Sequence, residues 1–148
     1  KPEPESLNTT WTMDLLMKGA QPNEPDSYLC AAYKVTGDEA YIYKFEALAD
    51  ASTVHHILVY GCDGEAYSDK PVWRCPAMCK SYKSTILFAW AKNAPPTVLP
   101  KDVGLRIGQR SSIKTIVLQV HYGKSFPVCM FFSGNMVIYQ IFVYFLSF

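Results

Sequence analysis

Histidine is scarce in this chain, and charge runs out before its end. Only three of the 148 residues are histidine: His55, His56 and His121. No Asp, Glu, Lys or Arg follows Lys124. The charges that are present nearly cancel, at a formal +1, and no basic stripe occurs anywhere. That excludes a nucleic-acid partner and electrostatic attachment to an anionic membrane. No long helical periodicity appears, which excludes a helical bundle. The cysteine spacings fit no zinc finger or thioredoxin-like motif. No nucleophile elbow is present either, so nothing local supports a Ser/His/Asp or Cys/His catalytic pair.

What is there favours sheet. Ten tyrosines and eight phenylalanines suit pleated, half-buried surfaces, and the length suits one domain with a sizeable core. Strands are predicted at Thr10 to Met17, Ser27 to Val35, Glu39 to Ala47, Val54 to Cys62, Thr85 to Trp90, Val103 to Ile107 and Lys114 to Tyr122. Gly19 to Asp26 and Asp63 to Lys83 read as loops. Asn93 to Lys101 carries three prolines and is expected to stay out of regular sheet. Short strands at frequent intervals make the fold class all-β, an antiparallel β-sandwich of jelly-roll-like type.

The histidines are placed unusually. All three lie inside two apolar strand runs, Val54-His55-His56-Ile57-Leu58-Val59-Tyr60 and Thr115-Ile116-Val117-Leu118-Gln119-Val120-His121. Neutral imidazole is a common ligand for copper and zinc, and a strand holds it rigidly. Neighbours on a regular strand point to opposite faces, so His55 and His56 can share an ion only where the strand bends, bulges or ends. The plainer reading is one core histidine and two at the surface. Gln119 shares the face of His121 and is either a hydrogen-bond partner behind the ligands or an ordinary strand glutamine. The five methionines read either as soft copper ligands or, more commonly for this residue, as core filler, and none is assigned as a ligand.

Four of the five cysteines, Cys30, Cys62, Cys75 and Cys79, surround the first histidine pair in sequence. They read as disulfides of an oxidising compartment. Asn8-Thr9-Thr10 is a glycosylation sequon that agrees with it. No signal peptide is visible at the polar start Lys1-Pro2-Glu3-Pro4-Glu5, so a leader is expected to be cleaved or to lie outside this chain. Residues 1–124 read as the folded domain and 125–148 as an uncharged apolar tail. The tail approaches a membrane span in length, but Pro127, Gly134, Asn135 and Gln140 interrupt it. Three readings stand: a membrane-inserting segment, a mispredicted exon or splice variant, and a buried terminal strand.

Three segments carry a resemblance. They are Thr53-Val54-His55-His56-Ile57-Leu58-Val59-Tyr60-Gly61-Cys62, Phe88-Ala89-Trp90-Ala91-Lys92-Asn93-Ala94-Pro95-Pro96-Thr97-Val98-Leu99-Pro100-Lys101, and Val117-Leu118-Gln119-Val120-His121-Tyr122-Gly123. In this order they closely resemble the peptidylglycine α-hydroxylating monooxygenase family, copper- and ascorbate-dependent enzymes of peptide amidation. The resemblance runs from about Thr12 to Gly123 and covers only the N-terminal of two copper domains. It implies that His55, His56 and His121 hold the electron-storing copper called CuH, and that Cys30 pairs with Cys75 and Cys62 with Cys79. It further implies ascorbate as reductant, molecular oxygen as co-substrate, a glycine-extended peptide as substrate of the full enzyme, and a secretory-granule, secretory-lumen or extracellular location.

The departures set the remaining expectations. The family's second copper needs a His-x-His pair and a methionine in a second domain, and no histidine follows His121. One copper per chain, against two in the full enzyme, and no hydroxylase activity of this chain alone are therefore expected. The domain is expected to be incomplete at its C-terminal end, with an edge or apolar surface uncovered where the resemblance stops. Cys129 lacks its family partner and is left unpaired. The alternative class is a non-catalytic copper-binding or interaction module, membrane-tethered through its tail; a His₃ zinc enzyme ranks below it.

Overall fold

The computed structural model describes residues 9–125 and the backbone of residues 140–147. Asn8 and Cys129 lie outside the described residues. The strands are β1 (Thr9–Leu16), β2 (Ser27–Lys34), β3 (Ala40–Leu48), β4 (Val54–Cys62), β5 (Trp73–Arg74), β6 (Thr85–Ala91), β7 (Thr97–Val98), β8 (Leu105–Ile107), β9 (Thr115–Tyr122) and β10 (Gln140–Ser147). No helix occurs among the described residues, and none is therefore long and apolar enough to cross a membrane.

Two antiparallel five-stranded sheets result. One runs β1-β10-β3-β7, with β8 also paired to β3; the other runs β5-β2-β9-β4-β6. Alternation along each strand sends one set of side chains into the space between the sheets. Leu15, Ile42, Phe45 and Ile107 meet Ile57, Val59, Phe88, Trp90, Ile116, Leu118 and Val120 there in a single core. The clearest contact across the layers is Phe45 of β3 stacked on Phe88 of β6, with centroids 4.8 Å apart. Phe45 is 1% exposed. Phe45→Ala should cost about 3–5 kcal/mol through lost burial and the cavity left behind. Denaturant unfolding would show this as a lower midpoint with an unchanged slope.

The middle of the second sheet is covered on its other face as well. Every residue of β9 is buried, although one face of an antiparallel strand is usually solvated. Its even positions enter the main core. On its odd positions Val117 joins Cys30, Cys62, Trp73 and Cys79 in a second apolar cluster. The cover is the long loop after β4, tied down by the disulfides Cys30–Cys75 and Cys62–Cys79, each with Cα atoms 5.6 Å apart. Each tie stabilises by roughly 2–4 kcal/mol, chiefly by restricting the unfolded chain. Such a loop, with little regular structure of its own, needs that restriction to stay packed.

Three strands escape sequence patterning. β5 is two residues inside the pinned loop, held by pairing with Leu29 and Cys30. β7 corrects the expectation that the proline-rich segment stays out of sheet. Thr97 and Val98 lie between the prolines, keep their N–H groups and pair at the sheet edge with Phe45 and Lys44. β10 comes from the uncharged tail and lies between β1 and β3, Thr9 facing Ser147 on one side and Leu48 facing Gln140 on the other. The edge expected to stand uncovered after Gly123 is filled by this strand.

Candidate metal centre

The ladder between β4 and β9 is interrupted at the histidines. Val54 faces Tyr122 and His56 faces His121, so His55 is an extra residue, a β-bulge. A bulge bends its strand and re-aims a side chain. That is how two consecutive imidazoles come to share one side of the sheet. His56 and His121 are direct cross-strand partners, whose Cβ atoms stand close by the geometry of the sheet. Gly123 sits beside the bulge, where an added Cβ would be 4.0 Å from the His55 Cβ.

The three rings converge. His55 Nδ1 is 3.2 Å from His56 Nδ1, and His121 Nδ1 is 3.3 Å from His56 Nδ1. One ligand atom from each histidine falls within 4.8 Å of the other two. Imidazole nitrogens bind a first-row ion at about 2.0–2.1 Å. Two of them around a tetrahedral ion therefore stand about 3.3 Å apart. The rings are mutually edge-on, at 63–69°, so their lone pairs aim at a common region without stacking clashes. Bare nitrogens this close repel one another unless a proton or a cation lies between them. The donor set thus fits one ion, and copper or zinc in type.

Electrostatics favour the neutral, metal-binding form of His56. Burial, reinforced by the neighbouring His121 and His55, holds His56 below the usual imidazole pKa. Exposure grades across the group: His121 is buried, His56 intermediate and His55 exposed. The centre is anchored on the central strand and reachable from the bulge side.

Tyr28 and Asp26 are site neighbours that sequence reading passed over. Tyr28 is the β2 partner of His121, and its ring stacks on that imidazole at 4.1 Å and 6°. Asp26 places its Oδ1 3.2 Å from His121 Nε2. Neither could be found without knowing that β2 pairs with β9. Gln119 does lie on the buried outer face with His121, and its amide donates to Met78 Sδ at 3.7 Å.

Known proteins share this stretch. The profile of the copper type II ascorbate-dependent monooxygenase N-terminal domain matches residues 13–126. Peptidyl-glycine alpha-amidating monooxygenase A of Xenopus laevis is 45% identical over 117 residues, which span 78% of this chain and 12% of the relative. The Mus musculus peptidyl-glycine alpha-amidating monooxygenase is 43% identical over 117 residues, 78% of this chain and 12% of the relative. The Homo sapiens DBH-like monooxygenase protein 1 is 29% identical over 113 residues, 68% of this chain and 18% of the relative. The chain thus spans about an eighth of the length of the amidating relatives.

Proposed function

Because the chain belongs to the copper type II, ascorbate-dependent monooxygenase family, we propose that it is the electron-storing copper domain of a peptidylglycine α-hydroxylating monooxygenase. The observation that carries this reading is the convergence of all three histidines of the chain within 4.8 Å, inside the stretch the family profile matches. Copper held there would supply reversible one-electron storage between ascorbate and the carbon being hydroxylated. His55, His56 and His121 would hold the ion through Nδ1. β9 holds the buried ligand, with Tyr28 and Asp26 against its ring, while the bulge leaves the His55 side reachable by a reductant.

The substrate of the whole protein is a peptide ending in glycine, by the same family reading. This chain contributes no second imidazole site, since its three histidines are spent on one centre. Acting alone it stores charge without hydroxylating. The two disulfides and the sequon at Asn8 support a secretory lumen, granule or extracellular location.

Metal analysis and turnover test the reading together. Purified chain loaded with Cu(I) should retain about one copper per chain after gel filtration, the count that one three-imidazole site supports. A glycine-extended peptide with ascorbate and oxygen should go unconverted. Retention near zero overturns the metal centre. Conversion of the peptide by this chain alone overturns the assignment of half a catalytic apparatus.

A further inference from the structure

We propose that Asp26 is a positioning residue for the metal centre, setting the tautomer and ring plane of His121 through its Nε2–H. This rests on the reading of His55, His56 and His121 as a metal centre. The Nδ1 atoms are the ones that converge. A ligand histidine binding through Nδ1 must carry its proton on Nε2, and that atom needs an acceptor. On His121 the acceptor is the Asp26 carboxylate, 3.2 Å away. The carboxylate fixes which nitrogen is bare.

The loop holds Asp26 in place by several means. Its φ is +55°, a left-handed conformation that aspartate tolerates better than most residues. The next residue begins β2, and the Ser27 hydroxyl donates to the Glu24 carbonyl at 2.6 Å. Arg74, on β5 beside the Cys30–Cys75 bridge, donates to Asn23 Oδ1 and Glu24 Oε2. The loop is thereby tied to the same pinned segment that covers β9. Tyr28 stacks on a face of the same imidazole. His121 is therefore constrained in plane by the ring and in rotation by the carboxylate. The Asp26 side chain is 79% exposed, which places the expected effect at the low end for an orienting partner.

The test uses the full chain with copper itself as probe. Asp26→Ala should weaken Cu(I) affinity about 10-fold, measured by competition with a chelator. In the metal-free protein, ¹⁵N shifts of neutral His121 should move from the Nε2–H tautomer toward a mixture. Asp26→Asn keeps an acceptor oxygen and should restore most of both readouts. The melting temperature reports whether each variant is folded. Wild-type chain that binds no copper sinks the metal centre itself. Wild-type binding with Asp26→Ala unchanged in affinity and tautomer sinks the role of Asp26 alone. An affinity loss without any tautomer change, equal in the Ala and Asn variants, also overturns positioning and leaves only a charge effect.

Discussion

Replacing His121 by alanine should weaken copper binding by more than about 100-fold, beyond what loss of an orienting partner costs. His121 is the fixed pole of the centre. It is 7% exposed, lies on the central strand of its sheet and is gripped by Tyr28 and Asp26. What remains is His55 and His56, adjacent residues of one bulged strand with no third imidazole opposite. The fold should survive, because the lost ring stack is worth only about 0.5–1.5 kcal/mol. Competition titration of Cu(I) against a chelator, with a thermal melt of the same sample, separates the two effects. A His121→Ala chain that stays folded and keeps wild-type affinity would place copper elsewhere.

Deleting residues 140–148 should abolish cooperative folding. Among the described residues β1 pairs only with β10, and β10 also supplies one long side of β3. Removal strips β1 of its ladder and opens the sheet over Leu15, Ile42 and Phe45, all buried in the core. A domain with a net stability of about 5–15 kcal/mol does not survive loss of an interior strand. The measurement is near-ultraviolet circular dichroism through a thermal ramp. A truncated chain that melts cooperatively within a few degrees of the full one would show that the tail is dispensable to the sandwich. Two-state behaviour of small domains makes that a clear distinction.

Much of this was legible in the residues. The strands containing His55, His56 and His121 announce themselves by β-branched apolar runs, and their ends match the observed β4 closely. The need for a bend at His55-His56 follows from strand alternation, and a bulge stands there. Other features depend on tertiary partners. β5 and β7 are two residues each and exist only because Leu29, Cys30, Lys44 and Phe45 offer them a ladder. The burial of both faces of β9 depends on a loop whose anchoring is a matter of cysteine connectivity, which sequence alone leaves open. β10 is hard to tell from a membrane segment by hydropathy, since continuous apolar runs suit either setting. Asp26 and Tyr28 look like ordinary loop and strand residues until the register brings Tyr28 opposite His121.

The neighbours in the first sheet carry a consequence for the order of events in synthesis. Thr9 pairs with Ser147 and Leu16 with Gln140. A ribosome emits β1 well before β10. At about 5–20 residues per second, the early strand waits on the order of ten seconds for its mate. During that interval the second sheet can assemble, since β2, β4, β5, β6 and β9 all precede Gly123. The sheet bearing the histidines is thus available to close first, while β1 has an unpaired edge that a chaperone or a neighbouring nascent chain can occupy. Yield in cells should depend on what guards that early strand until β10 emerges.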